Sequence, residues 1–457
     1  MRVGIVGCGY VVDDYLRTLP DHPELELVAV TDRNPDRARQ VASRYHARWY
    51  ATTDELLEDS AIQLVVNLTS PESHFEVARA ALLAGKHVYG EKPLTLCFEH
   101  ARELVDLARE CGLMLSGAPC ALLGDSWGVV QQLVKQGAVG QPKVVYAELD
   151  DNPIHLMRPQ EWRSESGTPW PYENEFEVGC TLEHASYHVA MLAALFGPVV
   201  SVTPFAACLI PDKSPDLPAT PPAPDLSVAV LRFGAGVVAR LTCSTVAPYD
   251  HRLRIIGDEG MVTLDECWHN RSPVHLETFT QLSLNARKLR MIRHSPLLSR
   301  LVGIRGRRRP LGAEKPTAGH VPAAGPGIGP SSWAMRVRNH LRRHQMISMD
   351  FLLGPQDMAR ALEEGRDPVM SPEFVLHVTE VTLLISRASS HAQSVPPTTT
   401  FAPIDLPTIP GPQWQPTAGT RVSQRLDDFI VSLHNRGTTA TAPEKPDRLS
   451  APGRLGD

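Results

Sequence analysis

The 457-residue sequence contains no stretch approaching about 20 uninterrupted apolar residues, which argues against a membrane-spanning helix. Its eight cysteines, at 8, 97, 111, 120, 180, 208, 243 and 267, include no Cys-x-x-Cys pair and no zinc-ligand quartet. Free thiols are therefore expected, most of them buried as small hydrophobes. There is no large excess of either charge. The formal net charge of −6 implies no global attraction to nucleic acid or membrane. No charged leader with an apolar core and a small-residue cleavage site opens the chain, from which a cytoplasmic location is the expectation. Internal repeats are also lacking. What is abundant is proline: 40 residues, many in a loop near 210–224 and in the stretch 390–457. That composition predicts a mostly disordered Pro/Thr/Ser-rich tail, inside which Val422, Leu426, Phe429, Ile430 and Leu433 keep the spacing of a short docking helix.

The length favours two domains with appendages, and a 42% hydrophobic fraction can supply their cores. In the first third, apolar runs at Arg2–Val6, Leu25–Thr31, Leu64–Leu68 and Lys86–Tyr89 alternate with helical patterns at Asp13–Leu19, Pro35–Tyr45, Pro71–Ala84 and Cys97–Cys111. Such alternation means βαβ units and a parallel sheet, placing an α/β Rossmann domain at 1–122. From Pro142 the pattern changes. Val144–Leu149, Ser227–Phe233, Gly236–Ser244, Leu253–Gly257 and Met261–Leu264 read as strands joined by turns, with one amphipathic helix at Thr181–Phe196. This predicts an α+β domain at 123–389 with a mainly antiparallel open sheet and a basic insertion at 280–330.

Gly7-Cys8-Gly9 ends the first strand and opens a helix, followed by Tyr10 and Val11. Gly7 permits a tight turn and Gly9 a close backbone approach to a pyrophosphate at the helix N-terminus. The third glycine position is Val12, which weakens the motif taken alone. Asp32, twenty-five residues after Gly7, ends the second strand, where an acid suits a ribose 2′-hydroxyl and favours NAD. Arg33 beside it could accept a 2′-phosphate, leaving NADP open.

Further residues extend the pattern: Thr69-Ser70-Pro71 with His74 after the third run, Glu91-Lys92-Pro93 after the fourth, then His188 on a helix closed by Leu195-Phe196-Gly197. In order and spacing the chain resembles the glucose–fructose oxidoreductase / inositol dehydrogenase / MocA (Gfo/Idh/MocA) family over residues 1–270, with a weaker echo at 346–390. The resemblance implies a dehydrogenase or reductase acting on CH–OH groups of a sugar, nucleotide sugar or cyclitol. It also implies a homo-oligomer. By position Lys92 would approach the nicotinamide and the carbinol, with Glu91 orienting it; a lysine at that sheet edge can bind the oxygen and stabilise developing negative charge. The family pattern Asp-x-x-x-His aligns with His184 and His188, so His188 is the expected base and the expected acid is replaced by histidine. Glu175 and Glu177 are candidate substitutes for the missing carboxylate. Other readings of the helix stay open: a sugar-binding scaffold without turnover, which would make the chain a regulatory protein; a metal held by His184 and His188; or core histidines. Trp162, Arg163, Trp170 and Tyr172 would suit stacking on a sugar and gripping an anion, or pack as an aromatic loop.

Residues 287–309 carry nine Lys/Arg and no acid, interleaved with Leu289, Met291, Ile292, Leu297, Leu298, Leu301, Val302 and Ile304. An element resting on an anionic membrane surface, or gripping the diphosphate of a nucleotide sugar or lipid-linked sugar, would look like this. Pro296, Gly303 and Gly306 interrupt any long helix and favour a solvated insertion loop instead.

Overall fold

The computed structural model describes residues 1–213, 223–311, 349–387 and 393–405. The tail segment 422–433 lies outside them. The N-terminal domain runs β1 (Arg2–Val6), α1 (Val12–Arg17), β2 (Glu26–Thr31), α2 (Pro35–Tyr45), β3 (Arg48–Tyr50), α3 (Thr53–Glu58), β4 (Leu64–Asn67), α4 (His74–Leu83), β5 (His87–Gly90), α5 (Phe98–Cys111) and β6 (Leu115–Gly117). Its six strands lie parallel in the order β3-β2-β1-β4-β5-β6. The chain order reverses between β1 and β4, and in such sheets ligands bind at the carboxyl ends of the strands flanking that reversal. β4 is buried along its whole length, as a strand covered by helices on both faces must be. β3 and α3 form an extra unit between the second and third apolar runs read from the sequence.

The chain continues through α6 (Asp125–Lys135), β7 (Pro142–Asp150), α7 (Tyr172–Val178), α8 (Cys180–Phe196), β8 (Val199–Ala207), β9 (Leu226–Phe233), β10 (Val238–Ser244), β11 (Leu253–Gly257), β12 (Gly260–Leu264) and β13 (Val274–Thr278). Short helices α9 (Gln281–Ala286), α10 (Arg290–His294) and α11 (Pro296–Leu301) precede β14 (Arg307–Arg309). The eight-stranded sheet has the order β14-β13-β12-β11-β7-β10-β9-β8. It is mostly antiparallel, but β7 and β10 run parallel, because the chain leaves β7 through α7 and α8 before returning. Alternation sets its two faces: Ala229, Leu231, Ala239, Leu241, Val145 and Ala147 turn inward, and α8 packs on that side.

Two helices from the later chain, α12 (Leu353–Glu364) and α13 (Pro372–Ser386), complete the core. α13 packs on both α5 and α8. Residues 349–360 dock on the N-terminal domain, where the Asp350 carboxylate meets His22 Nε2 at 2.9 Å and Arg360 pairs with Glu24 at 2.8 Å. Of the stretch 390–457, expected to be mostly disordered, residues 393–405 are described; they form no helix but make specific contacts. Val395 bridges Val202, Thr398 N–H donates to Glu380 at 2.7 Å, and Phe401 is buried against Phe374 and His377. Proline and threonine content predicts loop, but here the loop's polar groups are satisfied by one buried glutamate. By compactness Met1–Glu277 and the described residues from Arg307 onward form one unit, and Thr278–Gly306 belongs to another. Among the described residues no helix is long and apolar enough to cross a membrane.

Candidate active site

The first half of the site is built from backbone turns at the carboxyl edge of the parallel sheet. Gly7 has φ +100°, and a Cβ there would lie 2.5 Å from the Leu68 carbonyl oxygen, so only glycine fits between β1 and the loop after β4. Its N–H donates to the Thr31 carbonyl at 2.9 Å. A Cβ on Gly9 would meet nothing within 4 Å, leaving the open approach that a pyrophosphate requires. Tyr10 and Val11 follow, half-buried, and Val12 at the third glycine position is fully buried, so its larger side chain is absorbed into the core. The Asp32 carboxylate accepts the Cys8 N–H at 2.7 Å through Oδ2 and the Asn34 N–H at 2.7 Å through Oδ1. It is thereby fixed at the end of β2 with lone pairs to spare, and Arg33 beside it is exposed. These residues fit a dinucleotide.

Thr69, Ser70 and Pro71 are half-buried at the end of β4. His74, read as a cofactor contact, is instead 1% exposed, and its ring spans the Thr69 carbonyl at 3.0 Å and the Pro93 carbonyl at 2.7 Å. It ties the β4 loop to the β5 loop from below. Glu91 is buried as well. Its carboxylate accepts the Tyr15 hydroxyl at 2.7 Å and the Lys92 backbone N–H at 2.9 Å, so it fixes the turn and not the lysine side chain, as had been expected of it.

The Lys92 ammonium donates to the Glu183 carboxylate. Burial works against the lysine's charge, but Glu183, with Tyr187, Glu175 and Glu91, holds its pKa above the ordinary range. Glu183 and Tyr187 are four apart on α8 and share one helical face. Tyr187 is buried against Trp268, ring centroids 5.4 Å apart, and its hydroxyl feels the charges of Lys92, Glu91 and Glu183. Burial pushes this phenol up while Lys92 pulls it down, and it stays protonated at neutral pH. Glu175 comes in from α7 and hydrogen-bonds to Glu183. Burial, and then Glu183, raise its carboxyl well above the usual range, while the Lys92 charge lowers it. Gly179, with φ +86°, makes the corner that brings α7 and α8 together; a Cβ there would lie 2.7 Å from that of Ala223.

Glu183 and Tyr187, which act on Lys92, lie one position before the expected His184 and His188, about 100° round the helix. His188 is wholly buried, with Nε2 3.0 Å from the Glu148 carbonyl oxygen under β7, and its pKa is lowered to about 4 by burial. It is turned away from Lys92. Among the described residues, neither His184 nor His188 belongs to a group of three or more possible metal ligands; the group of that kind is His251, Glu266 and Cys267. His184 lines a small pocket with Asp151, Trp170, Glu175, Glu183 and Lys213. Its Nε2 lies 3.8 Å from Asp151, and burial, then Lys92, keep the ring neutral. Beyond Asp151, whose carboxyl is raised to about 6 by burial, His251 Nδ1 meets Glu266 at 3.0 Å.

Of the remaining sequence candidates, Trp162 packs against Trp170, ring centroids 4.8 Å apart and the planes tilted at 46°. Arg163 is exposed and donates to the carbonyls of Gln160 and Trp162, so its charge is spent on its own loop. The Tyr172 hydroxyl donates to Glu173 at 2.9 Å. Glu177 is exposed. Sequence reasoning missed Glu183 and Tyr187 as a pair. The available signal was an acid and a phenol four apart, one step before the two histidines.

Comparison with known proteins concerns the two domains. The family described as "Oxidoreductase family, NAD-binding Rossmann fold" matches residues 1–118, and the "GFO/IDH/MocA C-terminal domain" matches 127–263. Trans-1,2-dihydrobenzene-1,2-diol dehydrogenase of Mus musculus is 25% identical over 271 residues, 59% of this chain and 75% of the mouse protein. The dTDP-3,4-didehydro-2,6-dideoxy-alpha-D-glucose 3-reductase of Streptomyces violaceoruber is 29% identical over 59% of this chain and 73% of its own. Among solved structures, the WlbA dehydrogenase from Bordetella pertussis in complex with NADH and UDP-GlcNAcA has the same fold, with a TM-score of 0.61 at 19% identity over 87% of this chain and 97% of that one. KijD10, a 3-ketoreductase from Actinomadura kijaniata in complex with NADP and TDP-benzene, gives 0.59 at 20% identity over 84% and 95%. With the dinucleotide edge, the Glu-Lys-Pro turn and both domain types in place, the chain belongs to the Gfo/Idh/MocA family of oxidoreductases.

Proposed function

We propose that the protein transfers a hydride between NAD(P) and a carbinol carbon of a sugar, nucleotide sugar or cyclitol. The observation that carries this reading is the Lys92 ammonium held by Glu183 at the sheet edge, with Tyr187 one helical turn beyond. Gly7, Cys8, Gly9, Tyr10 and Val11 would cradle the pyrophosphate, Asp32 and Arg33 the adenosine ribose, and Thr69, Ser70, Pro71, Glu91 and Lys92 the nicotinamide end. Bound there, the dinucleotide supplies the hydride donor or acceptor. Lys92 donates a hydrogen bond to the substrate oxygen and stabilises the negative charge that grows on it. Tyr187, kept protonated by its burial, gives its proton to that oxygen in the reductive direction; in the oxidative direction it accepts the carbinol proton only as the phenolate, the form that the Lys92 charge favours. Glu183 positions Nζ, and Glu175, hydrogen-bonded to Glu183, holds that carboxylate in place. His184, Asp151 and Trp170 would contact the substrate's ring and hydroxyls.

Relatives that act on a dihydrodiol and a deoxy-sugar nucleotide, and fold neighbours holding NADH or NADP with nucleotide-linked ligands, support this substrate class. Self-association is part of the proposal. Phe205, Val230 and Val238 are exposed large hydrophobics on the open sheet face, more than a solvated face needs. Mass spectrometry of co-purifying dinucleotide, followed by a panel of sugars, nucleotide sugars and cyclitols with either cofactor, tests the reading. Absorbance of reduced cofactor that changes with wild type and not with Lys92→Met supports it. Bound cofactor with no turnover on any member of the panel would point to a regulatory protein instead.

A further inference from the structure

The segment Thr278–Gly306 belongs to a compact unit of its own and contains none of the site residues named above. It contains six Lys/Arg (287, 288, 290, 293, 300 and 305) and no acid. The prolines and glycines expected to prevent regular structure do not do so; they limit it to α10 and α11. Thr280 closes a capping box on α9, and the Ser295 hydroxyl accepts the Leu298 N–H at 3.3 Å to start α11. Half-buried Ile292, Leu298 and Ile304 and fully buried Ser299 form the inside of this small element.

Its outside is unusual. Leu289, Met291, Leu297 and Leu301 are 55%, 72%, 69% and 74% exposed. Leu297 and Leu301 are four apart on α11 and share a face. Lys288, Arg290, Arg293, Arg300 and Arg305 are exposed among them. Four large aliphatic side chains in water within a uniformly cationic field mark a surface that waits for a partner both apolar and anionic. An anionic bilayer is that partner: its headgroups meet the Arg and Lys ends, while the acyl boundary receives Leu and Met. Single-stranded nucleic acid matches less well, since among the exposed side chains of Thr278–Gly306 there is no Phe, Tyr or Trp to stack on a base.

We propose that Thr278–Gly306 is a peripheral docking element for anionic lipid surfaces, with Met291, Leu297 and Leu301 inserting and Arg290, Arg293 and Arg300 holding headgroups. The test is flotation of the full chain with vesicles of phosphatidylcholine alone or mixed with phosphatidylglycerol, at low and high salt. Wild type is expected to float with the anionic vesicles only, and less at high salt. A Met291→Ser/Leu297→Ser/Leu301→Ser variant is expected to lose about tenfold in floated fraction, as is Arg290→Ala/Arg293→Ala/Arg300→Ala, each with an unchanged thermal midpoint by circular dichroism. Wild type that stays with the soluble fraction in both mixtures overturns the proposal. So does an aliphatic variant that floats like wild type, because the attraction would then be charge alone and equally open to any polyanion.

Discussion

The two halves of the site are made differently. At the sheet edge the working parts are backbone: the N–H groups after β1, a turn that only glycine can make, and loops tied together by His74 and Glu91. On α8 the working parts are side chains on one face of a helix, and a step of one residue separates a phenol facing Lys92 from a histidine under β7. The backbone half tolerates a departure such as Val12, because what it offers a ligand is main-chain geometry. The helical half tolerates none, because its chemistry depends on which residues face the lysine. The largest effect is therefore expected where the halves meet. Lys92→Met should lower kcat/KM by about 10³-fold while leaving dinucleotide binding intact, since it removes the charge beside the reacting oxygen and nothing from the turn. Steady-state kinetics with a separate titration of cofactor fluorescence checks both parts. An equal loss in cofactor affinity would mean that the two halves are not separable.

Within α8 the contrast sharpens to adjacent residues. Tyr187→Phe should cost about 10²-fold in kcat at saturating substrate, the range for loss of a positioned proton donor. His188→Gln, whose side-chain amide can still donate to the Glu148 carbonyl, should leave kcat close to wild type. If His188→Gln were the slower enzyme, the active face of the helix would be the histidine face after all.

How far these features could be read from the sequence follows the same division. The βαβ alternation and the Gly7–Asp32 spacing report on backbone, and they led directly to the parallel sheet and its cofactor edge. β3 escaped because Arg48, Trp49 and Tyr50 are too few and too exposed to make an apolar run. β8 carries Pro204, which breaks its alternation, and β13 does alternate, as Val274-His275-Leu276-Glu277, but over only five residues. The register of α8 escaped for a different reason. The helix is buried all round from Glu183 to Ala193, so no polar face marks its orientation, and Glu183 with Tyr187 looks in sequence just like His184 with His188. Only the chain folding Lys92 against Glu183 distinguishes them. Thr398 and Thr399 on Glu380 are likewise a long-range pairing without a local pattern.

The buried histidine also leaves a signature in stability. His188 faces His251, Glu266 and Asp250, and burial lowers it to about 4 against an ordinary 6.5. With the folded pKa depressed, the unfolded chain binds the proton first, so stability is lost as pH falls from 6.5 towards 4. At pH 5 the loss from this one group is about 2 kcal/mol relative to pH 7.5. His377, lowered to about 4 by burial, adds in the same direction, while Asp151, raised to about 6, opposes them. The difference between proteins isolates the His188 share: urea unfolding of wild type and His188→Gln should converge by about 2 kcal/mol between pH 7.5 and 5. Parallel pH dependences would mean that His188 is not neutral in the fold.

The smallest effect is expected at the far end of the backbone half, and it probes cofactor choice. Each Asp32 oxygen already accepts one backbone N–H, from Cys8 and from Asn34, which leaves one further lone pair on each for a ribose hydroxyl. Asp32→Ala removes that acceptor and the negative charge together, while Arg33 remains exposed beside the vacated space. A 2′-hydroxyl loses a charge-assisted hydrogen bond, about 1.4 kcal/mol or tenfold in NAD affinity. A 2′-phosphate loses a repulsion and retains a cation. The ratio of kcat/KM for NADP over NAD should therefore rise by at least about tenfold, even though the two turn bonds from Cys8 and Asn34 are also lost and binding of both dinucleotides weakens somewhat. Because the lost turn bonds affect both cofactors alike, the ratio reports the carboxylate alone. An unchanged ratio would place the adenosine ribose away from Asp32 and leave the backbone half with a pyrophosphate cradle but no means of telling one dinucleotide from the other.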